Sequence, residues 1–363
     1  MSEELAYVLI NPYTIIKSRT GGVIGRLLSR STAELIAARM FAPSKQLIDE
    51  YIKSLDCAKM EEHLEIKELI KEYLLENYAP DPKTGIKRRV MFLLFKGENV
   101  INRLHHEIVG HITTGTVSGE TIRDTYGDYI VKANGEVRYF EPAVMIPTDA
   151  ECAEKELKIW AKYSDTDSGL LGNIIKYKDG IKPENTLVLI KPDCFQWPSS
   201  RPGSIIDTFS KTGLYIIATK VVRMSVNQAL NFYGPVKEVL LKKFNGDAAV
   251  TEEQFNKIIR FMTGLDPTWV VSDKQRDQSG QVKCLALVYQ GENAVSKIRN
   301  VLGATDPTKA APSTVRKEFG KDVLVNTAHA SDSLENAKRE MGIINIEEND
   351  LKRIIADFYK KNS

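Results

Sequence analysis

Two apolar runs, each cut short by a proline, stand far apart in the chain: LAYVLINPYTII from Leu5 and TLVLIKPDCF from Thr186. Short β-branched runs ended by proline predict strands that enter loops. After the second run the spacing of apolar positions alternates between strand and helix periods. GSIIDTFSKTG reads as an amphipathic helix closed by Gly213, LYIIATKVVRM as a strand, and NQALNFYGPVKEVLLKKF as helical. VKCLALVYQ is a further strand, and NAVSKIRNVLG a helix ending at Gly303, where a C-terminal glycine is expected. Helices interleaved with a few non-parallel strands predict an α+β sandwich.

The same pattern occurs twice. MFLLFKGENVINRL from Met91 matches LALVYQGENAVSKI from Leu285, sharing GEN at Gly97 and Gly291. SGETIRDTYG matches APSTVRKEFG and pairs Arg123 with Arg316. PTDAECAEKEL matches ASDSLENAKRE, each opening a helix with a hydroxyl or Asp cap. Four blocks in one order, about half the chain apart, point to tandem domains rather than short solenoid repeats. The expected boundaries are residues 1–165 for the first domain and 183–363 for the second. The polar stretch at 166–182, rich in Gly, Ser and Asp, would link them.

Composition narrows the classes. The 363 residues suffice for two domains, and 42% hydrophobic content is that of a folded chain. A net charge of +2 gives no reason to expect nucleic acid or an anionic membrane as partner. No apolar run has membrane-spanning length, and MSEELAYVLI lacks the features of a signal peptide. The cysteines at 57, 152, 194 and 284 form no CxxC pair and read as reduced thiols of a cytoplasmic protein.

Candidate chemistry gathers in the second half. Lys191 ends an apolar strand, Arg299 lies in a helix, Thr305 follows its glycine cap, and Arg316 sits in STVRKEF. Asn326, His329, Ser331 and Glu340 follow within fifteen positions. Three cations, a hydroxyl and an imidazole suit phosphate handling, which needs charge neutralisation and positioning. An oriented imidazole can also accept a phosphoryl group. Taken singly, each has an ordinary role: a solvated lysine or arginine, a cap, a turn, a packed histidine. Spacing alone does not separate the two readings.

As a set, these segments resemble the nucleoside diphosphate kinase family. LVLIKPD resembles its opening strand, RNVLGATDPTKAAPSTVRKEFG its arginine–threonine–arginine stretch, and NTAHASDSLENAKRE its active-site segment. The resemblance runs from Pro183 to Phe358, without gaps from Arg299 to Glu340. It implies two ferredoxin-like α/β sandwiches with antiparallel four-stranded sheets. It implies a phosphorylated nucleophile at His329, with Lys191, Arg299 and Arg316 neutralising nucleotide phosphates and Thr305 bonded to them. Tyr233 would stand near the histidine, Asn326 would contact the ribose, and Ser331 and Glu340 would hold the imidazole. Phe255 is the expected base-stacking residue, with Ile258 lining the same slot. Mg²⁺ would be bound through the nucleotide phosphates, with no protein metal site.

The sequence also departs from the family pattern. The segments around 235–255 and 265–281 are longer, and Ser313 and Ala330 stand where the family commonly has glycine. The first half resembles the same domain without its reactive groups. Asn11 replaces the lysine, His106 stands near the place of Arg299, Ile112 takes that of Thr305, and Ile146 or a neighbour that of His329; Arg123 and Tyr51 remain. His105, His106 and His111 read as exposed helix histidines rather than a metal patch. The expectation is a kinase that passes the γ-phosphate of ATP to nucleoside diphosphates in a ping-pong sequence. A homo-oligomer is expected, with three tandem chains imitating a hexamer. The alternative is a nucleotide-binding scaffold or sensor with little turnover.

Overall fold

A computed structural model describes residues 3–57, 66–112, 119–270 and 272–362. Among the described residues ten strands can be numbered. They are β1 (Glu3–Ile10), β2 (Glu34–Phe41), β3 (Val90–Glu98), β4 (Asp128–Val131), β5 (Val137–Glu141), β6 (Val144–Met145), β7 (Glu184–Ile190), β8 (Tyr215–Val222), β9 (Cys284–Gly291) and β10 (Ala328–Ala330).

The strands form two antiparallel four-stranded sheets and one hairpin. The sheet orders are β2-β3-β1-β6 and β10-β7-β9-β8, and β4 pairs with β5. Read from opposite edges, both large sheets run second, third, first and last strand of their half, the ferredoxin-like order. The α+β expectation with antiparallel sheets is therefore met. Each middle strand holds a continuous apolar stretch; in β7, Leu187, Val188, Leu189 and Ile190 are all fully buried. A strand covered on both faces shows no alternation, so the run LVLI marks a sheet interior. At its C-terminal end the chain turns at Pro192 and leaves Lys191 beside β10.

By contacts the chain divides into two compact units. One comprises Met1–Asp179, Pro198–Ser210 and Glu347–Ser363; the other comprises Gly180–Trp197 and Lys211–Ile346. In the first unit an aromatic core joins Tyr7, Phe41, Tyr51, Phe92 and Trp160. Leu351 and Ile355 of the final helix, Leu351–Asn362, complete this core. The helix Thr20–Arg30 packs against Arg201–Ser210 through glycine. A Cβ on Gly203 would run into the Gly21 carbonyl oxygen and the Gly25 backbone.

In the second unit the helices Ala294–Leu302 and Leu334–Ile343 lie against β7. Val226–Lys243 starts from a capping box between Ser225 and Gln228. The predicted stop at Gly303 is the C-cap, with φ 85° and ψ 176°, a backbone that glycine adopts readily. Ser313, at a family glycine position, takes φ 63°, the region glycine favours, whereas Ala330 lies in regular strand β10.

The cysteine expectation is corrected in part. Cys152 is disulfide-bonded, while Cys194 and Cys284 are buried and form no disulfide. The Cys57 side chain lies outside the described part. Linear spacing carries no information on which thiols the fold brings together.

Candidate active site

His329 is the central residue of β10, facing Leu189 of β7 across an antiparallel ladder. Strand geometry fixes its backbone, and the helix that follows returns Glu340 to the imidazole. Ser333 caps that helix by accepting from the Asn336 amide. The seven-residue reach from cap to Glu340 spans two turns, which brings the carboxylate back over the strand. His329 Nε2 and Glu340 Oε2 are 2.9 Å apart, and Ser331 Oγ donates to the same oxygen at 2.6 Å. The Glu340 side chain is only 5% exposed and the His329 side chain 21%. A buried carboxylate accepting at Nε2 holds the proton there and leaves the lone pair on Nδ1.

Two rings wall the imidazole. Phe232 and Tyr233 stand edge-on to it, with centroids 5.0 and 6.1 Å away. Both come from the helix Val226–Lys243. Sequence reasoning chose Tyr233 and passed over Phe232, although the two are adjacent in NFYGP.

The cationic side is built from loops. Lys191 Nζ donates to Asn326 Oδ1 at 2.6 Å, and the Lys191 amide donates to the Thr327 carbonyl at 2.8 Å. Asn326 Nδ2 in turn donates to the carbonyls of Val323 and Thr305. Arg316 is anchored by three acceptors: the Gly303 carbonyl at 3.2 Å, the Ala328 carbonyl at 3.1 Å, and Thr305 Oγ1 at 3.5 Å. The loop at Gly303 and the strand before His329 thus share one guanidinium. Arg299 and Thr305 are exposed, and Arg299 lies close enough to Arg316 to disfavour its charge.

This crowding of cations has a cost. Burial, followed by Arg316, pushes Lys191 down to about 8. Burial and Arg299 push Arg316 down to about 10. Arg316 Nε and the Tyr233 hydroxyl are buried without a hydrogen-bond partner. Unpaired buried donors beside compressed positive charge make a site that gains from an anion.

Most of the predicted residues therefore converge. His329, Ser331, Glu340 and Tyr233 make one cluster, and Lys191, Asn326, Thr305, Arg316 and Arg299 the other. Phe255 does not meet its expectation as an open stacking face. It is 3% exposed, with Lys237 Nζ 5.5 Å from its ring centre. Periodicity places an aromatic on the helix Ala248–Thr263 but does not say which of its rings is covered. Phe261 of that helix lies 5.9 Å from Lys191 Nζ and is half-buried. Ile258 is half-buried as well. Val323, whose carbonyl holds Asn326, is 48% exposed and was not anticipated.

The first unit can be compared position by position. Met145 of β6 faces Leu9 of β1 just as His329 faces Leu189, so Met145 rather than Ile146 occupies the histidine register. Ala143 and Thr327, two residues earlier, share left-handed backbones at φ 61° and 67°. Arg123 donates to the Gly110 and Val144 carbonyls, as Arg316 does to those of Gly303 and Ala328. The polar chemistry is different. Asn11 donates to Glu141 at 2.8 Å, and Glu141 also accepts from Tyr73 and the Ala143 amide. Glu156 accepts from Tyr7 at 2.6 Å, and burial pushes its carboxyl up to about 8. His105 bonds the Pro147 carbonyl at 2.7 Å, and its ring centre lies 6.2 Å from that of His106, which is 5.5 Å from that of His111.

Comparison with known proteins agrees with this geometry. The nucleoside diphosphate kinase family profile matches residues 184–349. The nucleoside diphosphate kinase of a Nitratiruptor species is 38% identical over 158 residues, covering 44% of this chain and 92% of that protein. Those of Campylobacter hominis and Wolinella succinogenes are 38% and 39% identical over the same length and coverage. With nearly the whole of each relative accounted for, the chain belongs to the nucleoside diphosphate kinase family.

Proposed function

We propose that the chain is a nucleoside diphosphate kinase that works through a phosphohistidine at His329. The supporting observation is the Glu340 carboxylate on Nε2, itself held by Ser331. It leaves Nδ1 as the nucleophile. Nδ1 forms a bond to the γ-phosphorus of ATP, the bond from that phosphorus to the β,γ-bridging oxygen breaks, and ADP leaves with the electron pair. A nucleoside diphosphate then enters, its terminal oxygen attacks phosphorus, and the P–N bond returns its electrons to Nδ1. Glu340 stabilises the positive character of the ring during both steps.

Lys191, Arg299 and Arg316 offset the phosphate charge, and Thr305 and Tyr233 supply hydroxyls. Bound phosphate would pair with the orphaned Arg316 Nε and Tyr233 hydroxyl. Asn326 orients the ribose. Glu340 already accepts two donors, so the site fits Mg²⁺ carried in on nucleotide oxygens, where the ion offsets phosphate charge. Base contact falls to half-buried Phe261 and exposed Val323 better than to Phe255.

The first half is proposed as a degenerate copy, residues 1–165, joined through 166–182 to the copy at 183–363. Support comes from the matching sheet order, the paired left-handed residues and the shared arginine anchoring. Met145 offers no nucleophile, and Asn11 with Glu141 replaces a lysine–amide pair by an amide–carboxylate pair, which repels phosphate. Its role would be structural, within a homo-oligomer such as a trimer of tandem chains. No helix among the described residues is long and apolar enough to cross a membrane, and a cytoplasmic location is proposed. A scaffold with little turnover is not favoured, because the reactive set is complete. Initial rates with ATP and GDP both varied test the scheme: parallel double-reciprocal lines support a phosphoenzyme, and intersecting lines refute it.

A further inference from the structure

Pro235 lies inside the helix Val226–Lys243, two positions after Tyr233. In a regular helix the Asn231 carbonyl would accept from the amide at position 235. Proline has no N–H, so that carbonyl is orphaned just where the helix presents Phe232 and Tyr233 to the imidazole. Arg339 fills the gap. Its Nη1 donates to the Asn231 carbonyl at 2.9 Å and its Nη2 to the Phe232 carbonyl at 3.3 Å. The same Nη2 lies 3.6 Å from Glu340 Oε1, the oxygen not used by His329 or Ser331. Nε donates to Asn336 Oδ1 at 3.1 Å, which fixes the guanidinium against its own helix.

We propose that Arg339 is a positioning residue for phosphoryl transfer, joining the proline-interrupted helix that carries the ring walls to the carboxylate that orients His329. A planar fork can serve both carbonyls and lean on the carboxylate at once; a lysine ammonium cannot match that geometry. Removing the fork loosens both sides of the imidazole together. It also lets the Glu340 carboxylate move off the line to Nε2, so the proton is no longer fixed on that nitrogen. The role rests on the kinase reading above.

The test compares Arg339→Met, Arg339→Lys, Pro235→Ala and the Pro235→Ala/Arg339→Met double variant in the full chain. Four quantities are read: ADP affinity, melting temperature, the single-turnover rate of His329 phosphorylation by ATP, and the imidazole ¹⁵N spectrum of His329. The expected result for Arg339→Met is ADP affinity unchanged within about twofold and a phosphorylation rate lower by about tenfold. Its spectrum should show mixed tautomers where the parent shows Nε2–H. Arg339→Lys should fall between. In the double variant the restored amide at 235 takes over the Asn231 carbonyl, so part of the rate returns. A parental rate and tautomer in Arg339→Met would overturn the proposal. So would ADP affinity and melting temperature falling in step with the rate, or no relief from Pro235→Ala. If the parent chain took no phosphate from ATP, the kinase reading would fall, and the spectra would still decide the role of Arg339.

Discussion

Replacing Glu340 by Gln removes a charge while keeping the shape, and its effect can be worked from the site. The Glu340 carboxylate accepts from Ser331 at 2.6 Å and from His329 at 2.9 Å, and its side chain is 5% exposed. A hydrogen bond to a charged group is worth about 1.5–3 kcal/mol and a neutral one about 0.5–1.5. The Ser331 bond is the same in the resting and reacting states and cancels. The His329 bond strengthens as the ring gains positive character, so its weakening appears in the barrier. A loss of about 1–2 kcal/mol corresponds to roughly a 5- to 30-fold slower phosphorylation. Nucleotide affinity should hold, because Glu340 faces the ring and not the phosphates. The assay is quenched-flow phosphorylation of the full chain by ATP under single-turnover conditions, with ADP affinity and melting temperature measured alongside. A Glu340→Gln rate within about twofold of the parent, in a folded protein, would refute the charged-orienter role.

Three other expectations follow from burial and charge. Lys191 is held near 8 by burial and by Arg316, so the free site loses its positive charge as pH rises through that value. Nucleotide affinity should decline above about pH 8, and in Lys191→Gln that decline should vanish; calorimetric titration across pH 7–9.5 decides. Glu156 is raised to about 8 by burial, so the folded first unit binds a proton that the unfolded chain releases near its ordinary value. Its stability is fully present below the ordinary carboxylate range and lost as pH rises towards 8, by up to about 1.4 kcal/mol per pH unit. Urea unfolding at pH 5 and 8 should show a smaller difference in Glu156→Gln. Leu351→Ala, in a buried core position of the final helix, should cost about 2–5 kcal/mol in denaturant unfolding while leaving His329 phosphorylation in the folded protein unchanged.

The chemistry of the site was legible where it rests on local order. His329, Ser331 and Glu340 lie on one strand, the short turn after it and the helix that follows, so their spacing carries their geometry. Gly303 declared its cap because only glycine takes that backbone readily. Lys191 stood out as a charge directly after the apolar run Leu187–Ile190.

What the sequence did not show depends on partners remote along the chain. Nothing in SIIDTF tells that its helix meets Gly21 and Gly25, nor does LKRIIADF announce a place beside Phe41 and Trp160. Aligning AVMIPTD with NTAHASD put Ile146 against His329; the ladder with β1 shifts the match by one residue, to Met145. Phe255 and Phe261 are equally aromatic in sequence, and only packing determines which is covered. Arg339 looked like any surface arginine, because its use arises from an amide that Pro235 lacks in another helix.

The central claim is that one imidazole carries the phosphoryl group. The direct measurement is incubation of the chain with γ-³²P-ATP and Mg²⁺, followed by acid and alkali treatment and peptide mapping. The account predicts acid-labile, alkali-stable label on the peptide containing His329, removed by added GDP and missing from His329→Ala. Label remaining at the parental level in His329→Ala, or none in the parent chain, would contradict it.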